Sequence, residues 1–224
     1  MKMQINQRHN DKGLTLVELL VALMVTSIVL TAVATLAYAL GTVNEASDDT
    51  SRKQAEVRYA TLKISELVRH SKLICATPGN DIVIWKADDS PSNDRIDVLE
   101  LAYIENAAEE NCVKLLEFSF CPSLLESWFV SQSSQIDVLG QSGTKDLFIE
   151  QCTETRSYLI RECSNVEFLF DDDELPPWSR LLTISFEVQE NEVLHSYQIS
   201  AALRGWAGNL LNSSGEIVSS GDDD

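Results

Sequence analysis

The stretch Lys12-Gly13-Leu14-Thr15-Leu16-Val17-Glu18-Leu19-Leu20 decides how the rest of the chain is read. It opens an apolar run, yet a glutamate stands five residues after the glycine. An ionisable side chain in a membrane-spanning segment costs on the order of 2.5 to 3.5 kcal/mol at the bilayer centre, so a partner for that charge is expected. From Leu19 to Leu40 there is no charge, no proline and no glycine. As a helix the run is about 33 Å long at roughly 1.5 Å per residue, enough to cross a bilayer core.

Charge separates this segment from the remainder of the chain. The chain has 224 residues, with 17 Lys and Arg against 35 Asp and Glu, a formal net charge of −18. Lys2, Arg8 and Lys12 gather ahead of the apolar run, and the body beyond it is strongly acidic. That sign argues against nucleic acid as a partner. One apolar segment joined to an aqueous body with a single core is the expected organisation.

Three readings suit the N-terminus. A secretory signal peptide would use the small-x-small pattern of Ala37-Tyr38-Ala39, although its apolar region is ordinarily only about 7 to 15 residues long. A plain anchor would let Glu18 snorkel to the headgroups. The third takes Gly13, the apolar Leu14, Thr15 and Glu18 together. A short basic leader ending in Gly13, then Leu14-Thr15-Leu16-Val17-Glu18-Leu19-Leu20, resembles the signal of type IV pilins and type II secretion pseudopilins. The resemblance implies cleavage after Gly13 by prepilin peptidase, methylation of the new amino group at Leu14, and Glu18 as the fifth mature residue. It further implies that Glu18 pairs with the amino group of a neighbouring subunit when helices stack into a filament. The family usually begins its mature chain with phenylalanine, and this one would begin with leucine.

The first proline is Pro78, and the residues before it keep a helical period. Tyr59, Leu62, Ile64, Leu67 and Val68 are read as an apolar stripe opposite Arg52, Lys53, Glu56, Arg58, Lys63, Glu66 and Arg69. The helix is expected to continue to about Ile74, with a bend at Gly41 or Asp48-Asp49. Beyond Pro78-Gly79, strands are expected at 81–85, 96–104, 113–120 and 146–150. The last third alternates most clearly: Val166, Phe168 and Phe170; Leu182, Ile184, Phe186 and Val188; then Val193, Tyr197, Ile199, Ala201 and Leu203. This pattern predicts an antiparallel meander with one buried face. The fold class is α+β, a long N-terminal helix on an antiparallel sheet, which is also the pilin arrangement. The boundaries expected are a leader at 1–13, a membrane helix at 14–40, an amphipathic helix at 41–75, a β-rich domain at 76–206 and a disordered acidic tail at 207–224.

A narrower likeness lies near the C-terminus. Asn165-Val166-Glu167-Phe168-Leu169-Phe170-Asp171, Leu175-Pro176-Pro177, Arg180 to Phe186 and Ala202-Leu203-Arg204 are similar to the minor pseudopilin J family. The likeness covers residues 1–75 and 164–206. It implies a structural subunit at the tip of a secretion pseudopilus, with I-like and K-like minor pseudopilins and the major pseudopilin as partners. The place implied is the bacterial inner membrane, with the C-terminal domain in the periplasm. The link before Leu175 is shorter than that family's, and Trp178 comes after the prolines, so a minor type IV pilin of the W class stays open. So does a membrane-tethered binding or adaptor domain that never polymerises.

Five cysteines, Cys75, Cys112, Cys121, Cys152 and Cys163, lie beyond the apolar run without a zinc spacing. In an oxidising compartment, Cys112 with Cys121 and Cys152 with Cys163 would each staple a short loop, leaving Cys75. The alternative is reduced, buried cysteines. Asp171-Asp172-Asp173-Glu174 offers oxygen ligands to Ca²⁺ but lacks an EF-hand's spacing, so a solvated turn is favoured. No catalytic residue or cofactor is expected. The three histidines, His9, His70 and His195, stand apart, and Gly140-Gln141-Ser142-Gly143 falls one residue short of a nucleophile elbow.

Overall fold

A computed structural model describes residues 15–86, 95–132, 134–141, 143–171, 175–191, 193–205, 209 and 211–217. Two units are distinguished, Met1–Asp48 and Asp49–Asp224. Helix α1, Leu16–His70, is the element they share. Helical geometry runs through Gly41 and Asp48-Asp49, where a bend was expected.

In the first unit the helix is apolar and bare. Leu16, Met24, Ile28 and Leu30 are each more than two-thirds exposed, and the apolar window buries nothing. The helix is long and apolar enough to cross a membrane. Its hydroxyls are satisfied internally. Thr26 donates to the Ala22 carbonyl at 2.9 Å, Ser27 to Met24 at 2.8 Å, Thr31 to Ser27 at 2.8 Å and Thr35 to Thr31 at 2.9 Å. Back-bonding of this kind leaves no side-chain donor between Leu19 and Thr35 in need of water.

In the second unit, α1 ends at His70, earlier than the expected Ile74, because Leu73-Ile74-Cys75-Ala76 is wholly buried as strand β1. Ser71 closes the helix by donating to the Leu67 carbonyl at 2.5 Å. The face that packs is Ala60, Ile64 and Val68, one i, i+4 row. This corrects the expected stripe: Ile64 and Val68 belong to it, whereas Tyr59 and Leu62 are 52% and 72% exposed. They sit about 100° and 200° around the helix from Ala60.

Two antiparallel sheets complete the unit. The first runs in chain order through β1 (Leu73–Ala76), β2 (Asp81–Trp85), β3 (Leu101–Ala107), β4 (Cys112–Phe120) and β5 (Thr153–Ile160). The second contains β6 (Cys163–Leu169), β7 (Leu181–Glu190) and β8 (Val193–Ala202). Between β4 and β5 lie three short helices, α2 (Ser123–Val130), α3 (Gln135–Gly140) and α4 (Thr144–Gln151). The strand expected at 146–150 is therefore helical. Thr144 and Phe148 are the buried pair of α4, spaced one turn apart. The strand expected at 96–104 is a 3-10 turn at Val98–Glu100 leading into β3.

Strands β1 to β3 of the first sheet are buried on both faces, which is why Asp81-Ile82-Val83-Ile84-Trp85 is apolar almost throughout instead of alternating. Ile74, Ile82, Ile84, Ile104 and Leu115 pack with Ala60, Ile64 and Val68 and with the inner face of the second sheet. Leu73, Val83, Trp85 and Tyr103 face the other way, toward Phe129, Leu139 and Phe148 of the short helices. A run of edge-to-face rings fixes that layer: Tyr103 to Phe118 at 6.0 Å, Phe118 to Phe148 at 5.9 Å and Phe148 to Phe129 at 5.3 Å. Buried Gln135 imitates a strand rung, accepting from the Ile96 N–H at 3.1 Å and donating to its carbonyl at 2.7 Å.

Candidate functional site: the N-terminal helix start

Gly13 and Leu14 lie outside the described residues. Thr15, next in the chain, caps α1. Its N–H donates to Glu18 Oε2 at 2.9 Å and its hydroxyl donates to the same oxygen at 3.0 Å. Glu18 N–H lies 3.3 Å from the Thr15 hydroxyl. Thr-x-x-Glu is thus a capping box, satisfying backbone donors that the first turn would otherwise leave orphaned. Within one chain the charge that looked out of place already has local partners. The carboxylate remains exposed, so it is still free to meet a positive group.

The second unit has its own polar node at the start of its helical segment. Lys53 Nζ lies 3.2 Å from Glu162 and 3.6 Å from Asp49, and it also donates to the Gln189 carbonyl. Its side chain is only 11% exposed. Asn191 donates to the Thr50 hydroxyl at 2.8 Å, and the Arg161 N–H donates to Glu56 at 2.9 Å. The helix therefore holds both the β5–β6 and β7–β8 turns. Glu162 needs that help, because its φ of 51° is left-handed, a conformation costly for a residue with a Cβ. Asp49, Lys53, Glu162, Gln189 and Asn191 line an open cleft of about 580 Å³ together with Glu110, Asn111, Cys163 and Ser164. Its lysine already sits between the carboxylates, the place a cation would take.

The cysteines differ from expectation. Cys121 is bonded to Cys152, while Cys75, Cys112 and Cys163 are buried thiols. The pairs Cys112 with Cys121 and Cys152 with Cys163 are thus replaced. The cause is the ladder between β4 and β5, in which Phe120 faces Thr153. Cys121 and Cys152 flank that rung, with Cα atoms 4.3 Å apart, and close the three-helix segment onto itself. Residues 153–157 are polar and give no apolar alternation, so spacing along the chain alone does not bring the two together.

Of the acidic run, Asp171 forms a β-bridge and its N–H faces the Ser179 hydroxyl at 3.4 Å; Asp172, Asp173 and Glu174 lie outside the described residues. Among the described residues no group of three or more His, Cys, Asp or Glu side chains is arranged to hold a metal. His70 Nδ1 is 2.9 Å from the Glu66 carbonyl at the end of α1, and His195 lies opposite Val188 on β8. His9 falls outside the described residues.

Residues 8–34 match the model of the prokaryotic N-terminal methylation motif. That match supports a type IV pilin-like protein, for which the basic leader, Gly13 and Glu18 are the expected start. The motif ends within the apolar helix. The long helix followed by antiparallel sheets is a pilin-like arrangement. No curated protein and no solved structure matches the chain.

Proposed function

We propose that this chain is a minor pseudopilin of the J-like kind, cut after Gly13 by prepilin peptidase and methylated at Leu14. It is inserted in the bacterial inner membrane through residues 14–40, with the β-rich unit in the periplasm. It joins the tip of a secretion pseudopilus beside I-like and K-like minor subunits and the major pseudopilin. The observation that carries this reading is the methylation motif at residues 8–34 on a helix whose apolar window is wholly unburied. Such a surface calls for lipid or for the helices of other subunits.

In this role Glu18 has two successive tasks. In the single chain it caps its own helix through Thr15. In the filament, where the methylated amino group of a neighbour enters the same apolar interior, the carboxylate neutralises it. An unpaired charge there would cost several kcal/mol, which selects one register of packing. The work is structural, done by assembly through α1 and recognition through the sheets, and no residue is assigned to catalysis. A minor type IV pilin of the W class is the second reading, favoured by Trp178 in the turn after Pro176-Pro177.

Intact mass of the membrane-extracted protein tests the proposal. The expected species begins at Leu14 and carries one added methyl group. A chain that keeps Met1, or one that begins at Leu40, would overturn it.

A further inference from the structure

Two of the three remaining thiols stand at the far end of the same ladder that carries the Cys121–Cys152 bond. Cys112 opens β4, and Cys163 opens β6, in the other sheet. Val113 pairs with Ile160, after which Arg161 and left-handed Glu162 turn the chain from one sheet to the next. The Cys163 N–H then donates to the Asn111 carbonyl at 2.9 Å. The Cys163 thiol in turn donates to the Ile160 carbonyl at 3.9 Å. Cys163 is therefore hydrogen-bonded to the residue before Cys112, while Val113, the residue after it, pairs with Ile160 three residues before Cys163; this is the backbone proximity a disulfide requires. The charge of Cys112 also bears on Cys163, and both thiols are nearly inaccessible. Cys163 nonetheless lines the open cleft beside Lys53 and Glu162, which gives a small disulfide a route to it.

We propose that Cys112 and Cys163 form a second disulfide, joining the two sheets covalently, when the chain meets a thiol–disulfide oxidant. The thiolate of Cys163 attacks one sulfur of the oxidant's disulfide and releases the other as a thiolate. Cys112, as its thiolate, then attacks the mixed disulfide at Cys163 Sγ. A Cys112–Cys163 bond forms and the oxidant's second thiol leaves. Two cysteines lose two protons and two electrons, and one disulfide becomes two thiols. The result accounts for the odd cysteine. Cys75 stays in the second core, its thiol pushed up to about 12 by burial and so chemically inert. Burial pushes the Cys163 thiol up to about 11, reinforced by Cys112 and Glu56; burial also raises that of Cys112, with Lys114 and Arg161 opposing and Glu110 and Glu105 reinforcing. The step is slow at neutral pH and speeds up with alkalinity.

Formation of this bond in the cell rests on the periplasmic placement proposed above; its geometry does not. The test uses the processed full-length chain in detergent, treated with oxidised glutathione at mildly alkaline pH, then denatured, alkylated and digested without reduction. The expected result is a cross-linked pair of peptides containing Cys112 and Cys163, with the alkyl label on Cys75 alone. The urea midpoint of the oxidised chain should also exceed that of a Cys112→Ser variant treated in the same way. Label on both Cys112 and Cys163, or glutathione retained on Cys163 beside a labelled Cys112, would overturn the proposal. The Cys121–Cys152 peptide pair serves as an internal control. The same mapping on chain alkylated directly in cells separates the two readings. A link that forms with glutathione but is missing in cells supports the staple and counts against an oxidising compartment.

Discussion

Glu18 offers the sharpest test, because its two tasks differ in size. As a cap, its Oε2 accepts from the Thr15 N–H at 2.9 Å and from the Thr15 hydroxyl at 3.0 Å. Losing a cap of this kind costs roughly 0.5 to 2 kcal/mol. As the partner of a neighbouring amino group in an apolar filament interior, its removal leaves a buried charge alone, at roughly 3 to 5 kcal/mol. At about 1.4 kcal/mol per factor of ten, the second loss amounts to a fall in incorporation of roughly 10² to several times 10³, against about 30-fold at most for the first.

Glutamine separates the two, since Thr-x-x-Gln is an equally good capping box but carries no charge. Glu18→Gln is therefore expected to fail nearly as badly as Glu18→Ala. Thr15→Ala, which removes the hydroxyl and spares both the backbone N–H and the charge, is expected to lose less than about 30-fold. The assay is the ratio of filament-associated to membrane-pool subunit after co-expression with the major pseudopilin. Intact mass confirms that each variant has been cleaved, and the thermal transition of the second unit confirms that it is folded. If Glu18→Gln assembles as the parent does, the glutamate is a helix cap and nothing more, and the pairing argument fails.

The second unit supplies four further outcomes. Cys121→Ser opens the loop between residues separated by 31 in sequence and should cost about 2 to 4 kcal/mol, read as a lower urea midpoint. Phe148→Ala removes the centre of the ring cluster and should cost roughly 3 to 5 kcal/mol by the same measure. Lys53→Ala removes one of the ties from the helix to each turn, leaving Glu56–Arg161 and Thr50–Asn191, and hydrogen exchange at Arg161 and Asn191 should rise well before global stability is lost. Lys145 lies 2.5 Å from Asp81 and 3.1 Å from Glu105, cross-strand partners in β2 and β3. Burial opposes its charge, but the two carboxylates prevail and its pKa stands above the ordinary lysine value. Its contribution is complete below about 10.5 and fades as pH climbs through the raised value. Lys145→Met leaves the carboxylates facing each other. The variant should lose roughly 1 to 3 kcal/mol at neutral pH, and the gap from the parent should close as pH climbs through the raised lysine value. A pH profile parallel to the parent's would refute this account of the site.

The α+β class and the second sheet were legible because their signals are local. Leu182, Ile184, Phe186 and Val188 alternate, and each of them is buried in β7. The Lys12–Glu18 stretch was legible for a different reason: a glycine and a carboxylate at fixed spacing on an apolar run have few other uses. The short helices were not legible. Leu147-Phe148-Ile149 is β-rich in composition, and the only mark of α4 is a buried pair, Thr144 and Phe148, one turn apart. Strand β5 was hidden by the opposite problem. Thr153-Glu154-Thr155-Arg156 is polar because it lies on an exposed edge, where pairing with β4 supplies the order that composition does not.

That missed strand explains why the cysteine pattern misled. Spacing along the chain favours Cys112 with Cys121 and Cys152 with Cys163, since those loops are the shortest. Spacing in the fold is governed by the ladder of β4 on β5, which sets Cys121 beside Cys152 at one end and brings Cys163 to Asn111 at the other. Both short-loop pairs would have to span the length of a strand: Cys112 and Cys121 lie at opposite ends of β4, and Cys152 and Cys163 at opposite ends of β5. A strand of about eight or nine residues extends over roughly 25 to 30 Å, several times the Cα separation a disulfide permits. The strand geometry that rules out the expected pairs is therefore also what brings Cys112 and Cys163 together.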